Sequence, residues 1–292
     1  MNTQPSTLPQ TLMVLGAGLM GAGIAQVAAE TGWRVTLYDT DPQAPPRARA
    51  VIERSLAARV RKHQCSSAHA AAALDRVKFG ESLDAASAAN VLVEAVFEDV
   101  DIKFQLFAEL DRIAAPHALL CSNTSAIPIT RLAAATSRPE SVVGTHFFSP
   151  VPMMELCELV AGEQTSESTL GKATDFVESL GKTAVVVRRD VPGFITTRLI
   201  TALVLEAARL VEAGVASAAD IDTACRLGFG HRMGPLATCD LIGADVLVNA
   251  AKVMYAEAES DVFDVPELLA RMVADGKLGR KTGGGFYPHS PS

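Results

Sequence analysis

Residues 11–39 read TLMVLGAGLMGAGIAQVAAETGWRVTLYD, and this stretch decides the fold. It opens with a short apolar run, continues into the motif GAGLMG at residues 16–21, and then follows an Ala-rich helical pattern until Gly32. Strand character returns from Arg34 to Tyr38. A strand, a G-x-G-x-x-G turn, a helix and a second strand in this order predict one complete βαβ unit.

The glycines of the motif have separate roles in binding a dinucleotide. The first allows a tight turn, the second lets the backbone approach a pyrophosphate, and the third lets the helix pack closely on the strand. The helix start presents unpaired N–H groups to the anion. We therefore expect a dinucleotide site with contacts from Gly16, Gly18, Leu19, Met20 and Gly21.

Asp39 indicates which dinucleotide binds. It ends the second strand about 20 residues beyond the glycines, where an acid accepts hydrogen bonds from the adenine ribose. A 2′-phosphate beside this carboxylate would bring like charges together, and no Arg directly follows it. The sequence therefore favours NAD over NADP.

Composition excludes several other classes of protein. The chain has 292 residues, of which 49% are hydrophobic and 20% charged, and its net charge is −7, which argues against general nucleic-acid binding. The five cysteines include no C-x-x-C pair, so we predict neither a disulfide framework nor a metal site. With no signal-peptide pattern and no membrane span, we expect a cytosolic protein.

Alternating strands and helices predict a parallel sheet with helices on both faces, whose ligands bind beyond the carboxyl ends of the strands. Polar residues at or just past these ends are Glu98, Asn123, Ser125 and His146. Each of them alone is as well explained by a turn or a satisfied polar group. Their shared placement favours a functional site.

A second acid stands out in MMELCELV, residues 153–160, which predicts a strand that is apolar on both faces. Glu158 then lies where water is scarce, and a buried carboxylate needs a partner. His146 is the nearest candidate in sequence, and a histidine held by a carboxylate is the arrangement that a general base requires. The alternative is a glutamate capped by backbone donors.

The polar segment RRDVPG, residues 188–193, contains helix breakers and marks a domain boundary. We predict an α/β chain in which a Rossmann-type domain of residues 1–189 precedes a smaller all-helical domain of residues 190–292. Helices are predicted over residues 194–212, from Ser217, and over residues 240–258 and 266–274. The Gly-rich tail is expected to pack Phe286 and Tyr287 back onto the body.

The helix that follows Asp41 is strongly basic. Within it only Glu53 opposes the positive side chains, which are Arg47, Arg49, Arg54, Arg59, Arg61 and Lys62. A solvated helix face explains this pattern on charge alone. In an acidic protein with a nucleotide fold, the patch could instead receive the phosphates of a second ligand.

The motifs of the whole chain resemble those of the L-3-hydroxyacyl-CoA dehydrogenases of fatty-acid metabolism. They are GAGLMGAGIAQV, VEAVFED, SNTSAIPI, HFFSPVPMMELCELV, DVPGFITTRLI, DIDTACRLGFGHRMGPL and GRKTGGGFY, in this order. The resemblance implies NAD-dependent oxidation of the 3-hydroxyl of an L-3-hydroxyacyl-CoA, or the reverse reduction. It also implies a homodimer through the helical domain.

By position, the resemblance implies His146 as catalytic base, Glu158 as the residue that orients it, and Ser125 as a hydroxyl beside the substrate oxygen. It implies coenzyme A contacts from Ser55 and Lys62 on the basic helix, with Ser125 also facing the substrate. The predicted cofactor contacts beyond the glycines are Asp39, Glu98, Lys103, Asn123 and Ser149.

Two positions depart from the family pattern. Ser149 stands where the motif commonly reads H-F-F-N-P, and Thr197 stands where an Asn is thought to hold the substrate near its thioester carbonyl. A threonine hydroxyl is shorter than the Asn side chain and cannot offer two amide protons. We therefore expect Thr197 to retune the acyl preference or to reduce activity.

Two alternative functions remain open from the sequence. Relatives with the same domain plan oxidise non-thioester acids such as gulonate or carnitine, and a non-catalytic NAD-binding relative, as in lens crystallins, is the other. Independently, the helix over residues 194–212 has apolar residues around much of its surface, which predicts contact with a second copy. These residues are Ile200, Leu203, Val204, Leu205, Leu210 and Val211.

Overall fold

The computed structural model describes residues 10–258 and 260–290. The chain forms two compact units, and the first, which ends at Asp190, is built on one sheet. Its strands are β1 (Thr11–Leu15), β2 (Arg34–Tyr38), β3 (Val77–Phe79), β4 (Val91–Glu94), β5 (Leu119–Ser122), β6 (Val142–Phe147), β7 (Leu156–Ala161) and β8 (Thr183–Val187). Their order in the sheet is β3-β2-β1-β4-β5-β6-β7-β8. The predicted Rossmann-type fold is confirmed.

Helices cover this sheet, and the first of them is buried along most of its length. They are α1 (Leu19–Glu30), α2 (Ala44–Arg61), α3 (Ser67–Arg76), α4 (Val100–Ile113), α5 (Ile129–Ala133) and α6 (Glu167–Ser179). Every residue from 21 to 29 of α1 is buried, because its glycines and alanines let the helix approach the strands. Both α2 and α3 pack against α1.

The prediction of a wholly parallel sheet is wrong at one edge. β7 pairs antiparallel to β6, and β8 then runs parallel to β7. Only eight residues, 148–155, separate β6 from β7, which is too few for the crossover that a parallel pair requires. The antiparallel register places Glu158 directly opposite His146.

The apolar runs at residues 90–97 and 153–160 predict two strands, and one boundary of each differs in the structure. β4 ends at Glu94, so Glu98 lies in the following loop, where Asp99 accepts backbone hydrogen bonds and caps α4. Met153 and Met154 lie in the loop before β7 and not in the strand. Apolar runs extend past both strand boundaries, so the sequence pattern could not locate them.

The chain divides into two compact units at Asp190, one residue beyond the predicted boundary. The second unit consists of α7 (Thr196–Glu212), α8 (Ala218–Gly228), α9 (Pro235–Ile242), α10 (Ala244–Ala258) and α11 (Glu267–Ala274). The single helix predicted over residues 240–258 is therefore wrong. Gly243 adopts a φ of 111°, which breaks the helix between α9 and α10.

The apolar residues of α7 form the core of the second unit more than a surface. Val204 and Leu205 are fully buried, whereas Ile200, Leu210 and Val211 are partly buried against the same helical cores. The expectation that these residues face a second copy is wrong for the two buried ones. The helices of this unit bury apolar side chains of α7 that the sequence pattern assigns to contact with a second copy.

The tail folds back onto the helical unit as predicted. Phe286 and Tyr287 pack against its cores, and the Asp240 carboxylate accepts hydrogen bonds from both of their backbone N–H groups at 2.9 Å. Among residues 10–258 and 260–290, no helix combines the length and the apolarity that crossing a bilayer needs.

Candidate active site

The glycine loop between β1 and α1 has one open position between two tight ones. Gly16 has a φ of 102°, and a Cβ there would lie 2.4 Å from the Ala95 carbonyl oxygen. A Cβ at Gly21 would lie 1.8 Å from the Gly16 oxygen. A Cβ at Gly18 would meet nothing within 4 Å, so this face of the loop is open to a ligand.

The start of α1 fits the pyrophosphate of a dinucleotide. Gly18 is the N-cap residue and supplies no side-chain cap, so the first N–H groups of the helix can donate to an anion instead of a capping side chain. Leu19 is exposed and Met20 half-buried at this end. The residues present therefore fit the dinucleotide that the motif predicts.

Asp39 lies at the carboxyl end of β2, beside a pocket of about 470 Å³. Tyr38, Pro42, Pro45 and Gly80 also line this pocket, which suits the adenosine end of the cofactor. Oδ2 of Asp39 accepts a hydrogen bond from the Ala17 N–H at 2.7 Å. Asp39 therefore also holds the glycine loop, a role that the sequence did not indicate.

Lys103 is buried between two glutamates. Its Nζ lies 2.9 Å from Oε1 of Glu94 and 2.7 Å from Oε2 of Glu98. Glu94 is fully buried and accepts further hydrogen bonds from the Val96 N–H and the Ser122 hydroxyl. Burial raises the pKa of Glu94, although the Lys103 ammonium opposes the shift. The Lys103 ammonium is buried against these two carboxylates. Its predicted contact with the cofactor stays a prediction.

Glu98 organises the turn that carries Ser125. Its Oε1 accepts hydrogen bonds from the Thr124 hydroxyl at 2.5 Å and from the Ser125 N–H at 2.9 Å. Burial alone would raise the pKa of Glu98, but the Lys103 ammonium and these hydrogen bonds lower it below its usual value. Glu98 is thus an anionic anchor at the carboxyl end of the sheet.

Asn123 connects this turn to the strand of His146. Its Oδ1 accepts a hydrogen bond from the Phe147 N–H at 2.9 Å. The carboxyl ends of β5 and β6 are thereby held together. Glu94, which sequence reasoning missed, is the centre of this arrangement. Its signal was an acid at the end of the apolar run VLVE, residues 91–94.

His146 and Glu158 face each other across the antiparallel pair. Nδ1 of His146 lies 2.8 Å from Oε2 of Glu158, and the two side chains are 9% and 1% exposed. We assign the Nδ1 proton to this hydrogen bond, because an ionised carboxylate can only accept. Nε2 is then the nitrogen that can take a proton from a substrate. The arrangement suits a general base with a fixed orientation.

The remaining predicted residues are spread over the chain. Ser149 is exposed in the loop after β6, and Thr197 lies in the first turn of α7 in the second unit. Ser55 and Lys62 are seven residues apart on and just after α2, so they share one face of that helix. The roles given to these residues stay predictions.

The basic patch of α2 is partly neutralised within the fold. Three of its arginines pair with acids, namely Arg47 with Asp41, Arg49 with Glu53 and Arg59 with Glu30. Glu53 is the acid within the helix itself, and folding adds Asp41 of the preceding turn and Glu30 of α1 beside α2. The exposed positive side chains outside these pairs are Arg54, Arg61 and Lys62.

Metal ligands do not cluster in the part of the chain that the structure describes. No group of three or more His, Cys, Asp or Glu side chains there could hold an ion.

Two family models together match almost the whole chain. The model of the 3-hydroxyacyl-CoA dehydrogenase NAD-binding domain matches residues 11–191, and the model of the C-terminal domain of the same enzymes matches residues 193–289. The match of the first model confirms the predicted cofactor NAD.

Individual relatives agree with these models. A probable 3-hydroxybutyryl-CoA dehydrogenase of Bacillus subtilis is 39% identical over 278 residues, which cover 95% of this chain and 96% of that protein. The mitochondrial hydroxyacyl-coenzyme A dehydrogenase of Sus scrofa is 40% identical, with coverage of 97% and 92%. The crystal structure of (S)-3-hydroxybutyryl-CoA dehydrogenase from Ralstonia eutropha has a TM-score of 0.93 at 38% identity, and the match covers 97% of this chain and 100% of that chain.

Proposed function

We propose the reaction from the family, since the chain belongs to the 3-hydroxyacyl-CoA dehydrogenases. It oxidises the 3-hydroxyl group of an L-3-hydroxyacyl-CoA to a 3-oxoacyl-CoA, or catalyses the reverse reduction. The observation that carries this proposal is the buried pair of His146 and Glu158 at the carboxyl end of β6. The names of the relatives support the substrate class.

In this mechanism His146 is the general base. Nε2 takes the proton of the 3-hydroxyl group, and the Glu158 carboxylate stabilises the positive charge that develops on the imidazole. The glycine loop and the start of α1 would hold NAD, which would supply the acceptor for the hydride from C3. The Ser125 hydroxyl, on the turn held by Glu98, is proposed to donate a hydrogen bond to the substrate oxygen.

The activity is tested by following NADH absorbance with 3-hydroxybutyryl-CoA and longer 3-hydroxyacyl-CoA thioesters. Turnover with at least one chain length is expected. If calorimetry shows that the protein binds NAD and yet no thioester is oxidised, the substrate assignment is wrong.

We also propose that the face of α2 with Ser55 and Lys62 receives the phosphates of coenzyme A. Lys62 and its neighbour Arg61 are exposed and lie outside the ion pairs of α2, so their charge is available to an anion. A small hydroxy acid such as gulonate would not reach or need these cations. The patch therefore discriminates between the two substrate classes.

Replacing Arg61 and Lys62 together with Gln is expected to raise KM for the acyl-CoA about five- to tenfold at low ionic strength. Added salt should shrink the difference, because exposed charges are screened. The matched control replaces Arg47 and Arg49 with Gln, since it removes the same charge from the same helix at paired positions. Equal effects of the two double variants, or an unchanged KM, would favour a small-acid substrate.

A homodimer through the second unit is proposed from its exposed apolar side chains. Leu227 is 81% and Phe229 72% exposed at the end of α8, and Leu199 on α7 is 66% exposed. Leu227 and Phe229 lie two residues apart in the chain, and exposed apolar side chains that group together mark surfaces for contact with another protein. A cytoplasmic location is also proposed, because the five cysteines are all free thiols, as in reducing compartments.

Sedimentation at micromolar concentration should give twice the monomer mass of 30.7 kDa. Replacing Leu227 and Phe229 with Glu should shift the protein toward the monomer, because negative charges without a positive partner would have to be buried in the interface. The control is Phe97→Glu, which introduces the same charge at an exposed phenylalanine of the first unit. A monomeric wild type would contradict the proposed dimer.

A further inference from the structure

The loop between β6 and β7, residues 148–155, directly follows β6, the strand that carries His146. Its first residue, Phe148, packs its ring on the His146 imidazole with centroids 4.5 Å apart. The other end of the loop leads into β7, which carries Glu158. Any displacement of this β6–β7 loop therefore acts on both members of the pair.

A buried lysine holds the β6–β7 loop on one side. Nζ of Lys182 donates hydrogen bonds to the carbonyl oxygens of Val151 at 2.7 Å and Met154 at 2.6 Å. Lys182 is 8% exposed, and burial lowers the pKa of its ammonium, although Glu155 and Glu30 raise it. A charged group is costly to bury unless hydrogen bonds compensate it, and here loop carbonyls do so.

The cofactor helix holds the same loop on its other side. Val151 is buried against α1, and a Cβ at Gly23 would lie 2.8 Å from the Val151 Cβ and 3.0 Å from its Cγ2. The fourth glycine of GAGLMGAG, Gly23, thus makes room for the β6–β7 loop and not for the dinucleotide. α1, the loop and Lys182 form one continuous contact from the proposed pyrophosphate site to His146.

We infer that Lys182 is a positioning residue that fixes the β6–β7 loop against the cofactor helix, so that the His146–Glu158 pair and the bound dinucleotide keep one relative geometry. Lys182 acts through Val151, Met154 and Phe148 and touches no reacting atom. Its effect on turnover rests on the proposed function, whereas its effect on NAD affinity does not.

The test compares Lys182→Met with Lys182→Arg, which keeps a charged donor in the same position. Lys182→Met is expected to lower kcat and kcat/KM together by about 10- to 100-fold, since small displacements of a catalytic group are costly. The Kd for NAD, measured by calorimetry, should rise about three- to tenfold because binding must then order the loop. Lys182→Arg should recover a substantial part of both losses.

Gly23→Ala approaches the loop from the helix side and should change kcat and the NAD Kd in the same direction. If Lys182→Met does not fold, the kcat and NAD Kd of Gly23→Ala test the inference in its place. The matched control is Gly171→Ala in α6, where a Cβ meets nothing within 4 Å, and it should change neither quantity. Measurements are made well below the melting temperature of every variant.

The outcomes separate the inference from the proposed function. If folded Lys182→Met and Gly23→Ala melt earlier but keep the wild-type kcat and NAD Kd, Lys182 is only structural and the inference is overturned. If the wild type oxidises no 3-hydroxyacyl-CoA, the proposed function fails, and the NAD Kd alone then decides on Lys182.

Discussion

Glu158→Gln is expected to lower kcat by about 10²- to 10⁴-fold, the range attributed to positioned acid–base groups. The amide keeps the size of the carboxylate, but it can no longer stabilise the imidazolium that forms as His146 takes the substrate proton. It can also turn its NH₂ group toward Nδ1 and select the wrong tautomer. Folding and NAD affinity should be retained, because none of the predicted cofactor residues lies on β7, the strand that carries Glu158.

The comparison with His146→Ala identifies the mechanism. His146→Ala should lose at least as much turnover as Glu158→Gln, and the double variant should lose no more than His146→Ala. The losses are non-additive because Glu158 acts only through the imidazole that the second substitution removes. In His146→Ala, the pH dependence of kcat/KM should also lose the limb that reports the unprotonated His146 imidazole of the free enzyme.

Glu178→Gln is the matched control, since this exposed glutamate lies on α6, outside β7 and the β6–β7 loop, and should leave turnover at the wild-type level. The dyad assignment fails if the two single losses multiply in the double variant. It also fails if Glu158→Gln turns over near the wild-type rate. In either case Glu158 is a buried structural carboxylate.

The βαβ unit and the helical second unit could be predicted because local patterns specify them. The glycine motif, a helical stretch and a terminal acid are separated by fixed distances, and the structure places them as the spacing requires. The antiparallel direction of β7 was not predictable from the apolar pattern, since a strand buried on both faces reads the same in either direction. Only the short connection of residues 148–155 indicated it.

The candidate site could be predicted where residues fall at strand ends, and not where it depends on distant pairs. The pairing of His146 with Glu158 was predicted from the burial of Glu158, the closeness of His146 in sequence and the family resemblance, and the structure places their atoms at hydrogen-bond distance. Glu94, Lys182 and the pairing of Arg59 with Glu30 depend on contacts between elements far apart in sequence. No periodicity in the chain encodes such contacts, so the sequence alone could not reveal them.

Lys103→Met is expected to lower the free energy of unfolding of the first unit by about 3–5 kcal/mol near neutral pH. The methionine keeps much of the apolar stem but removes the ammonium that lies against Glu94 and Glu98. Glu94 is fully buried, so its charge then has no cationic partner within the described network. The turn with Ser125 should also loosen, because Glu98 loses the cation that holds it.

The loss should depend on pH in a defined direction. Without Lys103, the already raised pKa of Glu94 rises further, and the folded state then holds a proton that the unfolded chain has released. Stability therefore falls as pH rises through that window. The lowered pKa of Glu98 contributes stability above the usual carboxyl range, and this contribution shrinks without the ammonium. The Glu94 effect makes the loss largest at about pH 8 and smaller at about pH 5, whereas the Glu98 effect changes with pH only below the usual carboxyl range.

Urea unfolding followed by the fluorescence of Trp33 measures this effect, since the chain has a single tryptophan and it is buried in the first unit. The double variant Glu94→Gln with Lys103→Met should regain most of the stability at about pH 8, because it leaves no uncompensated buried charge. Lys172→Met on the exposed face of α6 is the control and should stay within about 0.5 kcal/mol of the wild type. A loss for Lys103→Met that is below about 1 kcal/mol, or that does not change with pH, would mean that water reaches Glu94 and that the buried network does not anchor this end of the sheet.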